Sequence, residues 1–215
     1  MTRRTLLLAV DAVVVVYVVD PVLEYASFKG SGDYVSTPVP QGARELDVTD
    51  PRGLRRAALV RPEVLAALRD SALAGVDIVW NSQWLTAPER LRALARDLEL
   101  DDIIRFPTEA ELGSAPTDEP FHRASAGFWN HWKMLNLVER VRALPPGHDL
   151  VLADTGVDLS ALNVAETVRR RAGNPAASLG SIPTSRTWGL DEVALWGWMP
   201  ERARPGVWHH DPDLG

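Results

Sequence analysis

Four residues of the chain have the types and the sequence context to handle a phosphoryl group: Asp11, Ser82, Lys133 and Asp154. A lysine ammonium neutralises phosphate charge, a hydroxyl donates to a phosphate oxygen, and hard carboxylate oxygens hold a divalent cation such as Mg2+. Three of the four stand just after apolar runs. Asp11 follows Leu6-Leu7-Leu8-Ala9-Val10, Ser82 comes after Val76-Asp77-Ile78-Val79-Trp80-Asn81, and Asp154 follows Leu150-Val151-Leu152-Ala153. Such runs read as strands buried on both faces of a parallel sheet, whose carboxyl ends converge on the edge where open α/β sheets bind ligands. Lys133 lies on a later amphipathic helix. Each residue also has a plain structural role. Asp11 and Ser82 suit the turns that end strands, Asp154 suits the cap of a helix starting near Asp158, and a helical lysine is usually solvated.

The elements that must position this set begin with residues 5–20, TLLLAVDAVVVVYVVD. Thirteen of the fourteen residues from Leu6 to Val19 are apolar, and the exception is Asp11. That is too long for one ordinary strand. A strand is predicted at 6–10, a break at Asp11 and Ala12, and a second extended piece near 14–19. Arg3 and Arg4 before an apolar run also fit a secretory signal or a membrane anchor. Against this, Asp11 sits mid-run, no small-residue cleavage site follows, and the run is shorter than a bilayer span. No membrane segment is expected.

Residues 20–42 are rich in Pro, Gly and Ser and read as a loop or flap. A short hairpin is predicted from 43–48 and 54–60, turning at Pro51 and Gly53. Pro62 opens a helix that faces Val64, Leu65, Leu68 and Leu73 inward and ends at Gly75. Strand 76–80 follows, then a helix with a capping box of Thr86 and Glu89. A short strand at 103–106 leads to an acidic, proline-bearing loop at 107–122. The helix at 128–144 carries Trp132, Leu135, Val138 and Val141 at helical spacing. Strand 150–153, helix 159–172, strand 178–182 and helix 190–199 complete the order. This alternation predicts an α/β fold with a doubly wound, Rossmann-like, mainly parallel sheet. A small flap or hairpin insert occupies about 17–60, one domain spans 1–199, and 200–215 form a tail.

Composition narrows the chemistry. The chain has 215 residues and 46% hydrophobic content, enough for one generous domain with a full core. It has no cysteine, which excludes disulfides and thiolate metal sites and suits a cytoplasmic, reducing location. A formal net charge of −6 argues against an extended nucleic-acid-binding surface. Of eight tryptophans, Trp80, Trp84, Trp129 and Trp132 fall in two short segments. They suit core and rim packing, or a stacking platform beside a phosphate site. His209, His210 and Asp211 have metal-binding side chains, but a histidine pair in a tail is usually solvated.

The set of four, in this order, resembles the haloacid dehalogenase (HAD) superfamily, and in particular small actinobacterial HAD-domain proteins of the phosphatase type. The resemblance runs from about Leu6 to Trp198. The family's first motif, Asp-x-Asp-Gly-Val after a hydrophobic strand, falls on Ala9-Val10-Asp11-Ala12-Val13. The second, a Thr or Ser after a strand, falls on Ser82 in Trp80-Asn81-Ser82-Gln83-Trp84. The third, a helical lysine after an aromatic pair, falls on Lys133, and the fourth falls on Asp154, with Asp158 as a second acid. The resemblance implies a Mg2+-dependent phosphohydrolase acting on a phosphomonoester (a small metabolite, a nucleotide or a nucleic-acid end). It implies Asp11, Ser82 and Lys133 as catalytic residues and Asp11, Asp154 and Asp158 around the metal.

The departures bear on activity. The family's nucleophile position holds Ala9, and a methyl group neither attacks phosphorus nor binds a metal. Ala12 replaces the motif's glycine, Val15 stands where a polar residue is common, and Thr155 breaks the acidic pair. The expectation is therefore a phosphohydrolase-lineage protein with impaired catalysis and weakened Mg2+ binding. The alternative is a non-catalytic binding or regulatory protein, a pseudoenzyme that keeps the pocket for a phosphorylated small molecule or nucleotide.

Overall fold

The computed structural model describes residues 3–11, 13–17, 42–112, 126–155, 157, 159, 163–185 and 189–199, without the side chains of 126–131. The chain runs β1 (Arg3–Leu8), β2 (Val16–Tyr17), β3 (Arg44–Thr49), β4 (Arg55–Val60), α1 (Pro62–Leu73), β5 (Asp77–Trp80) and a 3-10 turn (Gln83–Thr86). It continues with α2 (Pro88–Asp97), β6 (Ile104–Arg105), α3 (Glu109–Leu112), α4 (Ala126–Arg142), β7 (His148–Ala153) and α5 (Val164–Ala172). β8 (Ser178–Ser181), β9 (Thr184–Ser185), β10 (Gly189–Leu190) and α6 (Glu192–Trp198) complete it.

The main sheet is five-stranded and all parallel, in the order β6-β5-β1-β7-β8. β1 is central. Leu8 pairs with Trp80 on one side and Ala153 on the other, so the three strands end level. Side chains alternate across a strand, and β1 splits accordingly. Leu6 and Leu8 enter a core with Val64, Leu68, Leu91 and Leu195, from α1, α2 and α6. Leu7 enters the opposite core with Leu137, Val141 and Val168, from α4 and α5. Helices thus cover both faces, as the doubly wound reading expects. A buried leucine of this kind is worth about 2–5 kcal/mol against alanine.

Several boundaries differ from the sequence reading. β1 starts at Arg3 and stops at Leu8, because the Val10 carbonyl accepts from the amides of Val13, Val14 and Val15 and folds the chain into a turn. Among the described residues of the second extended piece, Val16 and Tyr17 are strand, and they pair with β4. The hairpin forms as β3 and β4, giving a separate three-stranded antiparallel sheet with β2. Asp50 holds its turn by accepting from the amides of Arg52 and Leu54, and Arg90 of α2 ties the turn down through the Asp50 carbonyl. Thr86 does not cap α2. It ends the 3-10 turn and donates to the Gln83 carbonyl, while Ala87 takes the cap position before Pro88. Leu73 and Leu135 point outward, 87% and 49% exposed, because the stripes rotate onto Ala67 and Leu137. The helix predicted from 159 begins at Val164. The predicted tail and most of the flap lie outside the described residues.

Across β5, β6, α3 and α4 runs a charged layer. Arg105 binds Asp77 and Glu111 with short bidentate contacts, and Arg140 reaches Glu111 at 3.4 Å. The Arg105 hydrogen bond, aided by the Thr108 amide and Arg140, holds Glu111 down at about 2. Its folded pKa is depressed, so its contribution to stability is complete above the ordinary carboxylate range and is lost as pH falls toward about 2. Urea unfolding of Glu111→Gln beside the native chain should show a deficit near neutrality that shrinks through this acid window.

β10 docks against the turn that follows β1. Leu190 N donates to the Val13 carbonyl at 3.0 Å, and Gly189 sits at φ 78, where a Cβ would stand 2.7 Å from that same oxygen. Alanine there meets both a left-handed backbone and a backbone clash. Gly189→Ala should cost about 1–3 kcal/mol in denaturant unfolding. Gly180→Ala, whose Cβ meets only Val151 at 3.8 Å, should be mild by comparison.

Candidate functional site at the carboxyl edge of the sheet

The level ends of β1, β5 and β7 form one edge. Asn81 N donates to the Leu8 carbonyl and Ala9 N to the Ala153 carbonyl, which carries the register one residue beyond the strands. Ala9 through Asp11, Asn81 with Ser82, and Asp154 therefore leave the sheet at the same edge. In chain order β5 and β6 add to one side of β1, and β7 and β8 to the other. The strand order reverses between β1 and β7, which is where open α/β sheets leave a crevice.

Asp11 is fully engaged. Its Oδ1 accepts from the Tyr17 hydroxyl at 2.7 Å and from Trp84 Nε1 at 2.8 Å, and its Oδ2 accepts from Gln83 Nε2 at 2.7 Å. Burial, with Asp11 beside it, pushes the Tyr17 phenol well above its ordinary value, so it stays protonated and donating. The three donors come from β2 and the 3-10 turn, so one carboxylate joins the small sheet to the main one. Sequence reasoning did not foresee these partners. Tyr17 was visible as a polar-tipped residue in the apolar run, and Gln83 and Trp84 flank the Ser82 motif.

Ser82 is buried, and its hydroxyl accepts from Trp84 N at 3.4 Å as the N-cap of the 3-10 turn. This is the turn role weighed for it. Asn81 beside it is buried as well and accepts from Asn136 Nδ2 of α4 at 3.3 Å.

Lys133 and Asp154 form the second group of contacts. Lys133 Nζ lies 2.5 Å from Asp154 Oδ2, with side chains 11% and 1% exposed. The lysine is not on a solvated helix face. Removing either partner would strand the other's charge in a poorly hydrated place, a change that costs about 3–5 kcal/mol in buried pairs. An ammonium has three hydrogens, so Lys133 has donor capacity beyond Asp154. Trp80, Trp84 and Trp132 are buried and act as packing, with Trp84 also serving Asp11.

The acids implied as Mg2+ ligands are Asp11, Asp154 and Asp158. Asp158 and Ala12 lie outside the described residues, as do His209, His210, Asp211 and the side chain of Trp129. Among the described residues no cluster of three or more His, Cys, Asp or Glu has the geometry to hold a metal ion. N–H and O–H donors already occupy the Asp11 oxygens, Ala9 offers a buried methyl, and Asp154 holds an ammonium. Mg2+ needs near-octahedral oxygen ligation. The described donor set does not fit it.

Comparisons with protein-family models, with curated proteins and with solved structures return no match to this chain. The HAD resemblance rests on its residues and their strand context.

If Asp11 is a structural acceptor, Asp11→Ala leaves three donors unmatched and should lower stability by about 2–4 kcal/mol in urea unfolding. A solvated acid at this position would change stability by less than about 0.5 kcal/mol.

Proposed function

We propose that the chain is a non-catalytic HAD-like binding or regulatory protein that holds a phosphomonoester, such as a small metabolite or a nucleotide, without hydrolysing it. The observation that carries this reading is the buried Lys133–Asp154 pair beside the reversal point of the sheet, next to a strand end with no nucleophile. Lys133 supplies the cation for a phosphate oxygen. The engaged Asp11 supports a structural rather than an acid–base role. The antiparallel sheet of β2, β3 and β4 corresponds in this reading to the flap that follows the family's first motif. A cytoplasmic setting belongs to the same reading and suits the cysteine-free composition. Among the described residues no helix is long and apolar enough to cross a membrane.

The phosphohydrolase reading makes the opposite prediction from the same residues. Phenyl phosphate titrated into the full chain by calorimetry should bind, and an assay with Mg2+ should detect no phosphate release. The paired variant Lys133→Met with Asp154→Asn, which leaves no stranded charge, should lose the binding. Absence of binding by the native chain would remove the proposal. Mg2+-dependent release abolished by Asp11→Asn would favour the enzymatic reading. Turnover gained by Ala9→Asp alone would mark the phosphohydrolase lineage.

A further inference from the structure

α4 turns polar side chains into the protein at Asn136 and Arg140, which stand one helical turn apart. Asn136 is 4% exposed and the Arg140 side chain 8% exposed. Their hydrogen bonding is incomplete. Arg140 Nη1 reaches Glu111 Oε1 only at 3.4 Å, at the outer limit for a hydrogen bond. Among the described residues, buried Nε and Nη2 of Arg140 have no acceptor and Asn136 Oδ1 has no donor.

The neighbouring charges explain the deficit. Two arginines face two carboxylates, but Arg105 takes both of them, with contacts of 2.7 Å to each Asp77 oxygen and of 2.7 and 2.8 Å to Glu111. Arg140 is left with a share of Glu111. Arginine does not lose its proton in proteins, so the guanidinium stays charged with one side unmatched. Burial lowers the Arg140 pKa, the direction expected for a cation short of partners. Nε and Nη2 lie on one side of the planar group and form the fork that matches two carboxylate oxygens.

We propose that the Nε–Nη2 side of Arg140 is a binding site for a small carboxylate. The ligand brings two in-plane oxygens to the two orphaned donors and gives Arg140 the anion that Arg105 has taken. The depth of the side chain limits the ligand to a compact acid. Asp77 and Arg105, which hold the other half of this charge cluster, also stand in the wall of a cleft of about 430 Å³ at the start of β5 and β6; Arg140 does not line it. Lys133 lies seven residues earlier on α4, about 10 Å along the helix axis. The site is therefore separate from the carboxyl edge and does not depend on the phosphomonoester reading.

The test is an acetate titration of the full chain at constant ionic strength, with chloride as the matched control. The readouts are the Arg140 Nε–Hε NMR resonance and the thermal midpoint. The resonance should move saturably with acetate and stay put with chloride, and the midpoint should rise with acetate. Arg140→Lys keeps the charge but lacks the fork, and should lose that rise. A resonance that does not move, or moves equally with chloride, overturns the site and leaves a buried water as the partner of Arg140. A midpoint rise that survives in Arg140→Lys overturns it too. If that variant does not fold, the resonance of the native chain decides alone.

Discussion

Leu6, Leu7 and Leu8 of β1 lose all exposure to water, two on one face of the sheet and one on the other. A strand so placed requires a hydrogen-bonded neighbour on each side and helices over both faces, because neither its amides nor its side chains tolerate an open flank. β5 and β7 supply the neighbours, and their registers fix where the chain leaves the sheet. The positions of Asp11, Asn81, Ser82 and Asp154 follow from that register rather than from any attraction between them. Contacts between side chains only refine it.

Two electrostatic arrangements then share the edge, and they differ in kind. Around Asp11, a carboxylate is surrounded by three donors, each hydrogen bond to a charged group being worth about 1.5–3 kcal/mol. These contacts hold Tyr17 and the 3-10 turn in place and occupy both Asp11 oxygens, which works against a carboxylate that must meet a cation. Around Asp154, the anion is matched by a lysine with further donor capacity. The first arrangement stabilises the fold, and the second leaves N–H donors on Lys133 that, in the proposed function, a phosphate oxygen would accept. Ala9, buried at the same edge, contributes a packed methyl and its amide bond to the Ala153 carbonyl.

The strands were legible because two-sided burial writes itself as unbroken apolar runs, and the three acceptor positions after them followed from parallel topology. Helix existence was legible from spacing for the same reason. What was not legible depended on contacts between distant segments. No periodicity marks Tyr17, Gln83 and Trp84 as partners of one carboxylate, since they come from different elements. Thr86 and Glu89 matched a capping box, yet the local backbone preferred a 3-10 turn with Pro88 at the first helical position. Leu73 and Leu135 fitted apolar stripes by spacing, but their exposure depends on how each helix rotates against its sheet. Nothing in the sequence singles out Arg140, and only tertiary packing shows it buried and, among the described residues, short of acceptors.

The most direct measurement is a crystal structure of the native chain grown with tungstate, a phosphate mimic, and excess Mg2+. The account predicts an oxyanion on Lys133, Asp11 still bonded to Tyr17, Gln83 and Trp84, and no Mg2+ at the carboxyl edge. Mg2+ held between Asp11 and Asp154, with the Tyr17 and Trp84 contacts released, would contradict it.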